Sequence, residues 1–123
     1  MPIILGVPFL FLVIRFVIED RALSNDGFIT SAVITRYKTN YRGYPIFEYE
    51  FRCNGKIYTG QTTQPNLRSR AKRDFIGRNF PVLYKSDDPT INELLISKIS
   101  FRRYNKQFPD SLSWVEDYEI ELE

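Results

Sequence analysis

The hydrophobic pattern divides the chain into a continuous apolar segment and a longer region in which apolar and polar positions alternate. Residues 2–14 carry no polar or charged side chain, and after Arg15 the run continues to Ile18 before Glu19 and Asp20. A helix that is apolar on every face needs burial in protein or in lipid. Residues 2–18 would form a helix roughly 25 Å long, which is short for a bilayer, where about 20 residues are usual. We predict a hydrophobic helix over residues 1–23 that anchors the chain in a membrane.

The alternative is a soluble cytoplasmic protein in which the same run is a buried core element, because periodicity alone does not separate the two. For an anchor, Arg15 lies near the end of the run, so its long side chain is able to reach the headgroups. Basic residues follow the run and none precedes it. The positive-inside rule therefore favours a cytoplasmic location for the rest of the chain.

The clearest local pattern predicts a β-hairpin. Side chains alternate over residues 46–53 and again over residues 56–63, and Asn54-Gly55 lies between these runs. Asn-Gly favours a two-residue type I′ turn, because both positions need a positive φ. Pairing Cys53 with Lys56 gives the hairpin one polar face, with Glu48, Glu50 and Arg52, and one apolar face, with Phe47, Tyr49, Phe51, Cys53 and Tyr58. Cys53 is accordingly predicted to be a small buried hydrophobe rather than a reactive thiol.

Further elements flank the hairpin. Strands are predicted over residues 28–37, 80–85 and 94–97, and a short basic helix over residues 67–76, with Asn66 as its N-cap and Gly77 as its terminator. A helix between the third and fourth of five strands is also the element order of OB-type barrels. We predict a mainly β fold with minor α: a five-stranded barrel-like or sandwich domain with OB-like strand order over residues 27–97. For the C-terminal extension, residues 98–123, helix and strand patterns both fit.

Composition excludes several kinds of site. The chain has no His and one Cys, so an intrachain disulfide and a Cys-based zinc site are both excluded. No phosphate-binding loop or nucleophile elbow is present. Asp87-Asp88-Pro89 is typical of a solvated turn, and Glu48 and Glu50 of surface cross-strand pairs. We therefore expect no enzyme, no catalytic residue, no metal and no cofactor.

Charge is distributed unevenly along the chain. Seventeen basic and nine acidic residues give residues 1–109 a charge of +8, whereas six acidic residues give residues 110–123 a charge of −6. The candidate binding surface consists of Arg68, Arg70, Lys72, Arg73, Arg78, Arg102 and Arg103, and the candidate acidic tail of Glu116, Asp117, Glu119 and Glu121.

Three partners would suit the basic surface, and a solvated surface with no partner is equally compatible with the sequence. Anionic lipid would attract basic residues beside an anchor. Single-stranded nucleic acid would need stacking platforms, for which Phe101, Tyr104 and Phe108 are placed among the basic residues. The third partner is the acidic tail of the protein itself.

Three motifs resemble a bacterial family. They are Gly27 at the start of the first strand, the hairpin sequence FRCNGKIYTG at residues 51–60, and PVLYKSDDP at residues 81–89. Together they resemble the family catalogued as domain of unknown function 3592, over roughly residues 4–96. Ser86 replaces the first proline of many members, and the second hydrophobic helix of many relatives is lacking, which leaves a single-pass topology. The resemblance implies a bacterial envelope or membrane protein and brings no catalytic residue.

These observations predict a non-catalytic, single-pass protein of the bacterial inner membrane whose β domain contacts another protein. The edge strands and the two charged segments are the expected contact surfaces. A narrower version is an immunity or accessory protein that captures one toxin or one complex subunit. The alternative from a different class is a soluble OB-like module that binds single-stranded nucleic acid.

Overall fold

A computed structural model describes residues 27–120. The segment predicted to be a membrane anchor lies outside the described residues. The strands are β1 (Phe28–Thr39), β2 (Pro45–Cys53), β3 (Lys56–Thr63), β4 (Asn79–Lys85) and β5 (Asp88–Leu94). The helices are α1 (Ala71–Asp74), α2 (Lys98–Arg103) and a C-terminal 3₁₀ helix (Asp110–Tyr118). Over residues 27–120, no helix is both long enough and apolar enough to cross a membrane.

The five strands form one antiparallel sheet with the order β3-β2-β1-β4-β5. The long strand β1 pairs with β4 through residues 28–33 and with β2 through residues 32–39. Register shifts in β1 after Ile34 and in β4 after Tyr84 bend the sheet. The curled sheet brings β3 next to β5, and Thr62 Oγ1 of β3 donates a hydrogen bond to Glu93 Oε1 of β5 at 2.8 Å. The result is a nearly closed, barrel-like sheet with minor helix.

The predicted hairpin is confirmed in detail. Asn54 and Gly55 have φ angles of 53° and 78°, as a type I′ turn requires. Cys53 pairs with Lys56, and the ladder continues in that register to Ile46 and Thr63. The thiol of Cys53 is buried. Alternation along two short strands was therefore sufficient to assign the inner and outer faces of β2.

The hydrophobic core is built around aromatic rings at the end of the barrel that α1 covers. Phe75, which directly follows α1, stacks on Phe47 with ring centroids 5.5 Å apart and contacts Phe80 at 5.4 Å. Trp114 and Tyr118 of the 3₁₀ helix pack edge-on against Phe75 at 5.3 and 4.9 Å. Four further core residues come from the C-terminal region, namely Phe101, Tyr104, Leu112 and Val115. Residues 98–118 thus share one core with the sheet.

Three predicted elements differ from the structure. The α-helix predicted over residues 67–76 is shorter, Ala71–Asp74, because the Leu67 backbone forms an isolated β-bridge with Glu119. The fifth strand begins at Asp88, not at Leu94, because a two-residue turn pairs Lys85 directly with Asp88. Of the two alternatives for the C-terminal extension, the helical one is correct over Asp110–Tyr118, in the form of a 3₁₀ helix.

Gly60 provides a test of how the barrel closes. A Cβ at this position would lie 2.5 Å from both the Tyr49 hydroxyl and Asn92 Oδ1. We expect Gly60→Ala to lower the free energy of unfolding by about 1–3 kcal/mol, the usual cost of overpacking. Urea unfolding measures the change, and Gln61→Ala on the exposed outer face serves as the control. Equal stability of Gly60→Ala and the wild type would show that β3 and β5 do not approach this closely.

Candidate functional site

A cavity of about 210 Å³ lies beside the seam between β3 and β5. The end of β3, the segment that follows it, β5 and α2 together line this seam cavity. Among residues 27–120, the buried polar side chains are Thr62, Gln64, Asn66 and Ser97. All four line the cavity. Because buried polar groups are costly unless they are hydrogen-bonded, their concentration at one cavity marks it as the candidate site.

A chain of hydrogen bonds fixes one wall of the seam cavity. Gln64 Nε2 donates to Thr62 Oγ1 at 2.9 Å, and Thr62 in turn donates to Glu93 across the seam. Beside this chain, the Tyr49 hydroxyl donates to Asn92 Oδ1. Burial, followed by the negative charge of Glu93, raises the pKa of Tyr49 well above its ordinary value. Tyr49 therefore keeps its proton and remains a donor, which holds β2 and β5 together inside the barrel.

Asn66 is the buried polar residue whose side chain is not engaged. It is 5% exposed, and its backbone oxygen accepts a hydrogen bond from the Ile120 amide at 2.7 Å. Its carboxamide makes no hydrogen bond with any residue from 27 to 120. No fully buried side-chain nitrogen or oxygen in this range lacks a partner, so the carboxamide keeps access to solvent. Asn66 is also one of the residues that line the seam cavity.

Helix α2 supplies the other wall. Ser97 caps the helix: its Oγ accepts a hydrogen bond from the Ser100 amide at 3.4 Å, which completes a capping box. Ile99 lines the cavity and is 50% exposed, so it forms an apolar rim. Arg103 also lines the cavity, where its charge is opposite to that of Glu93. The cavity thus combines neutral hydrogen-bonding groups with one charge of each sign.

The seven residues of the predicted basic surface have different surroundings in the structure. Arg70 lies 4.5 Å from the centre of the Tyr118 ring and donates to the Asp117 carbonyl at 2.7 Å. Arg78 lies 4.6 Å from the centre of the Trp114 ring. Of the other predicted residues, Lys72 donates to Thr39 Oγ1 and Arg103 lines the seam cavity. Arg68, Arg73 and Arg102 are exposed. Two of the seven side chains therefore bind the C-terminal 3₁₀ helix.

The predicted acidic tail also contacts the rest of the domain. Glu116 forms an ion pair with Lys98 at 2.9 Å. Its hydrogen bond and negative charge raise the pKa of Lys98. Glu119 Oε1 accepts a hydrogen bond from the Lys98 amide at 3.2 Å. Asp117 contributes its backbone carbonyl to Arg70, and Glu121 lies outside the described residues. The protein's own acidic segment is one of the three partners considered for the basic residues. In the structure this segment contacts some of them.

The prediction that aromatic rings of residues 101–108 form stacking platforms for nucleic acid is wrong. Phe101 and Tyr104 are buried in the core, and Phe108 packs edge-on against Phe101 with ring centroids 5.4 Å apart. The buried rings of Phe101 and Tyr104 have no free face on which a base could stack, and Phe108 is half-buried. Exposed tyrosines lie instead at the β1–β2 connection, where Tyr41 is 90% exposed and the Arg42 guanidinium is 5.5 Å from the centre of its ring.

Sequence reasoning did not find the seam cavity. One available signal was Thr62, a polar residue at an inward-facing position of a strand whose register had been assigned. The sequence instead predicts Asn66 to be a helix N-cap, because Asn is among the residues preferred at that position. Residues 27–120 contain no cluster of His, Cys, Asp or Glu side chains suited to holding a metal ion.

No protein-family model, no curated protein and no solved structure matches this sequence. The resemblance to the family of unknown function 3592 therefore stays a prediction based on its three motifs. The seam cavity and the exposed β1–β2 connection are the features on which a function can be proposed.

Proposed function

We propose that this chain is a non-catalytic, membrane-associated protein of the bacterial envelope whose β domain binds another protein at the seam cavity. The observation that carries the proposal is a cavity lined by buried polar side chains, one of which, Asn66, has an unengaged carboxamide. An immunity or accessory protein that captures one toxin or one complex subunit is a narrower form of the same function.

The dimensions of the cavity favour a protein partner over a free small molecule. Pockets for drug-sized ligands usually measure about 300–1,000 Å³, whereas the seam cavity measures about 210 Å³. That space suits a single side chain inserted by a partner. Protein interfaces commonly derive most of their affinity from a few anchor residues held in such pockets. Ile99 and Pro65 would contact the partner around the cavity, since both line it and both are exposed.

Membrane association rests on the sequence of residues 2–18. Arg15 is the single charged residue of this run, and further basic residues follow it, which favours the inner membrane with the β domain on the cytoplasmic side. Anionic lipid is then a further partner for exposed basic residues such as Arg68 and Arg73. A soluble cytoplasmic protein is the alternative.

Cell fractionation tests the anchor. We expect the full chain to sediment with membranes, to resist extraction with high salt, and to be released by detergent. Deletion of residues 2–18 should transfer it to the soluble fraction, because the apolar run would supply the membrane affinity. Recovery of the intact chain as a soluble monomer would eliminate the anchor.

A matched pair of surface substitutions tests the partner site. Ile99 at the cavity rim is 50% exposed, and Ile57 on the outer face of β3 is 54% exposed. A charge at the rim should disrupt an interface there, so Ile99→Glu should reduce partner capture at least tenfold, and Ile57→Glu should not. The measurement is quantitative co-purification from the native host after detergent extraction. Equal capture by both variants would place the partner elsewhere.

The second candidate is binding of single-stranded nucleic acid at the β1–β2 connection. The strand order and the position of α1 support an OB-type assignment. In OB folds, the loop between the first two strands commonly contacts nucleic acid. Tyr37 and Tyr41 are exposed there, with Lys38 and Arg42 beside them. Exposed rings next to cations are the groups that stack bases and contact phosphates.

An oligonucleotide titration distinguishes this candidate from the first. If it is correct, a fluorescent single strand should bind at low salt, and its affinity should fall steeply as salt rises. The double substitution Tyr41→Ala with Arg42→Ala should weaken binding at least tenfold. Lys56→Ala, at the exposed β2–β3 turn, is the control for charge. Absence of binding by the wild type at low salt would remove the candidate.

A further inference from the structure

We propose that the seam cavity recognises a primary carboxamide, the side chain of a glutamine or asparagine presented by the partner protein. This inference rests on the proposed function and names the chemistry of the group that the cavity accepts. Asn66 is the residue on which it depends. Asn66 is 5% exposed, and its carboxamide has no hydrogen-bond partner among the described residues.

The position of Asn66 is fixed by its backbone. The Ile120 amide donates to its carbonyl at 2.7 Å, and the next residue, Leu67, forms a β-bridge with Glu119. On the other side of Leu67, the Arg68 amide donates a hydrogen bond to the Tyr118 carbonyl at 2.7 Å, which continues this pairing. The carboxamide is therefore presented from a backbone held on one side by the C-terminal segment. Such preorganisation lowers the entropic cost of binding.

The charges at the cavity disfavour an ionic ligand. Glu93 and Arg103 both line the cavity, and both already interact with other groups of the protein. An anion would approach Glu93 and a cation would approach Arg103, so neither sign gains a net attraction. The other hydrogen-bonding groups at the cavity are neutral hydroxyls and carboxamides, among them Thr62, Gln64 and Ser97. A neutral ligand with both a donor and an acceptor suits this lining.

The geometry of the Asn66 carboxamide further restricts which neutral ligand suits the cavity. A primary carboxamide carries an N–H and a C=O side by side, so two such groups form a pair of mutual hydrogen bonds. A carboxylate has no donor, and an ammonium or a guanidinium has no acceptor. The trans peptide group of a partner backbone directs its N–H and C=O in opposite directions. Ile99 and Pro65, which also line the cavity, would contact the methylene groups of the incoming side chain.

The test uses three small probes that share one backbone. They are N-acetyl-glutamine N-methylamide and its glutamate and norleucine counterparts, titrated into the full chain in mild detergent. The readout is the shift of the Asn66 and Gln64 side-chain NH₂ signals in ¹⁵N-labelled protein. We expect saturable shifts with the glutamine probe and at least tenfold weaker binding of the other two. Equal binding of all three probes, or no shift at Asn66, would overturn the inference.

A conservative substitution separates recognition from folding. Asn66→Asp keeps the shape of the side chain and removes its donor, so it should weaken the glutamine probe at least tenfold while the remaining backbone spectrum is preserved. Asn79→Asp, at an exposed position at the start of β4, is the control. Should Asn66→Asp unfold the protein, the preference among the three probes on the wild type still decides the inference.

The two proposals fail separately. Loss of partner capture in Ile99→Glu without any preference for the glutamine probe would overturn the carboxamide inference and leave the protein-binding function standing. A clear glutamine preference with undiminished capture by Ile99→Glu would overturn the proposed partner site and leave the chemistry of the cavity established.

Discussion

Contact between β3 and β5 closes the sheet, and Gly60 makes that contact possible. Without a Cβ at this position, the Tyr49 hydroxyl reaches Asn92 on the opposite strand. Thr62 and Glu93 extend the same contact one step further along the seam. Because these polar groups lie where the two edges meet, the seam is held by hydrogen bonds between side chains. The seam cavity lies beside this closure, at the end of β3.

The C-terminal region completes the domain on the other side. Helix α2 forms a wall of the seam cavity, and the 3₁₀ helix that follows covers the aromatic cluster around Phe75. The same segment contacts part of the basic surface through the rings that Arg70 and Arg78 cover, and its Glu116 forms an ion pair with Lys98. Exposed ion pairs of this kind contribute little stability. The buried side chains Leu112 and Val115 hold the segment in place.

The functional proposals depend on different parts of this structure. A protein partner would use the seam cavity, where buried polar groups and an exposed apolar rim occur together. Nucleic acid would use the β1–β2 connection, where tyrosines and basic side chains are exposed. The charged segments first considered as contact surfaces are partly occupied by each other, so they offer less free surface than their composition indicates. The Asn66 carboxamide and the exposed Tyr41 ring are therefore stronger indications of a binding site than the net charge of these segments.

Local patterns in the sequence determined the β2–β3 hairpin, its turn, its register and its buried cysteine. They also placed a helix between the third and fourth strands. Such features depend on residues close together in the chain, since alternation and Asn-Gly geometry act over a few positions. The early start of β5 was missed because its residues Asn92 and Glu93 are polar, and they face a seam that no local pattern reveals.

Only the tertiary structure decided which charged and aromatic residues are available. Phe101 and Tyr104 looked suitable for stacking because they alternate with basic residues, yet packing against the sheet buries them. Asn66 looked like a helix cap, yet pairing of its neighbour Leu67 with Glu119 prevents a helix from starting there. The physical reason is the same in both cases: burial and hydrogen-bond partners come from residues distant in the chain. The sequence by itself therefore determined the hairpin and the element order, and long-range packing decided which polar side chain is left without a partner among the described residues.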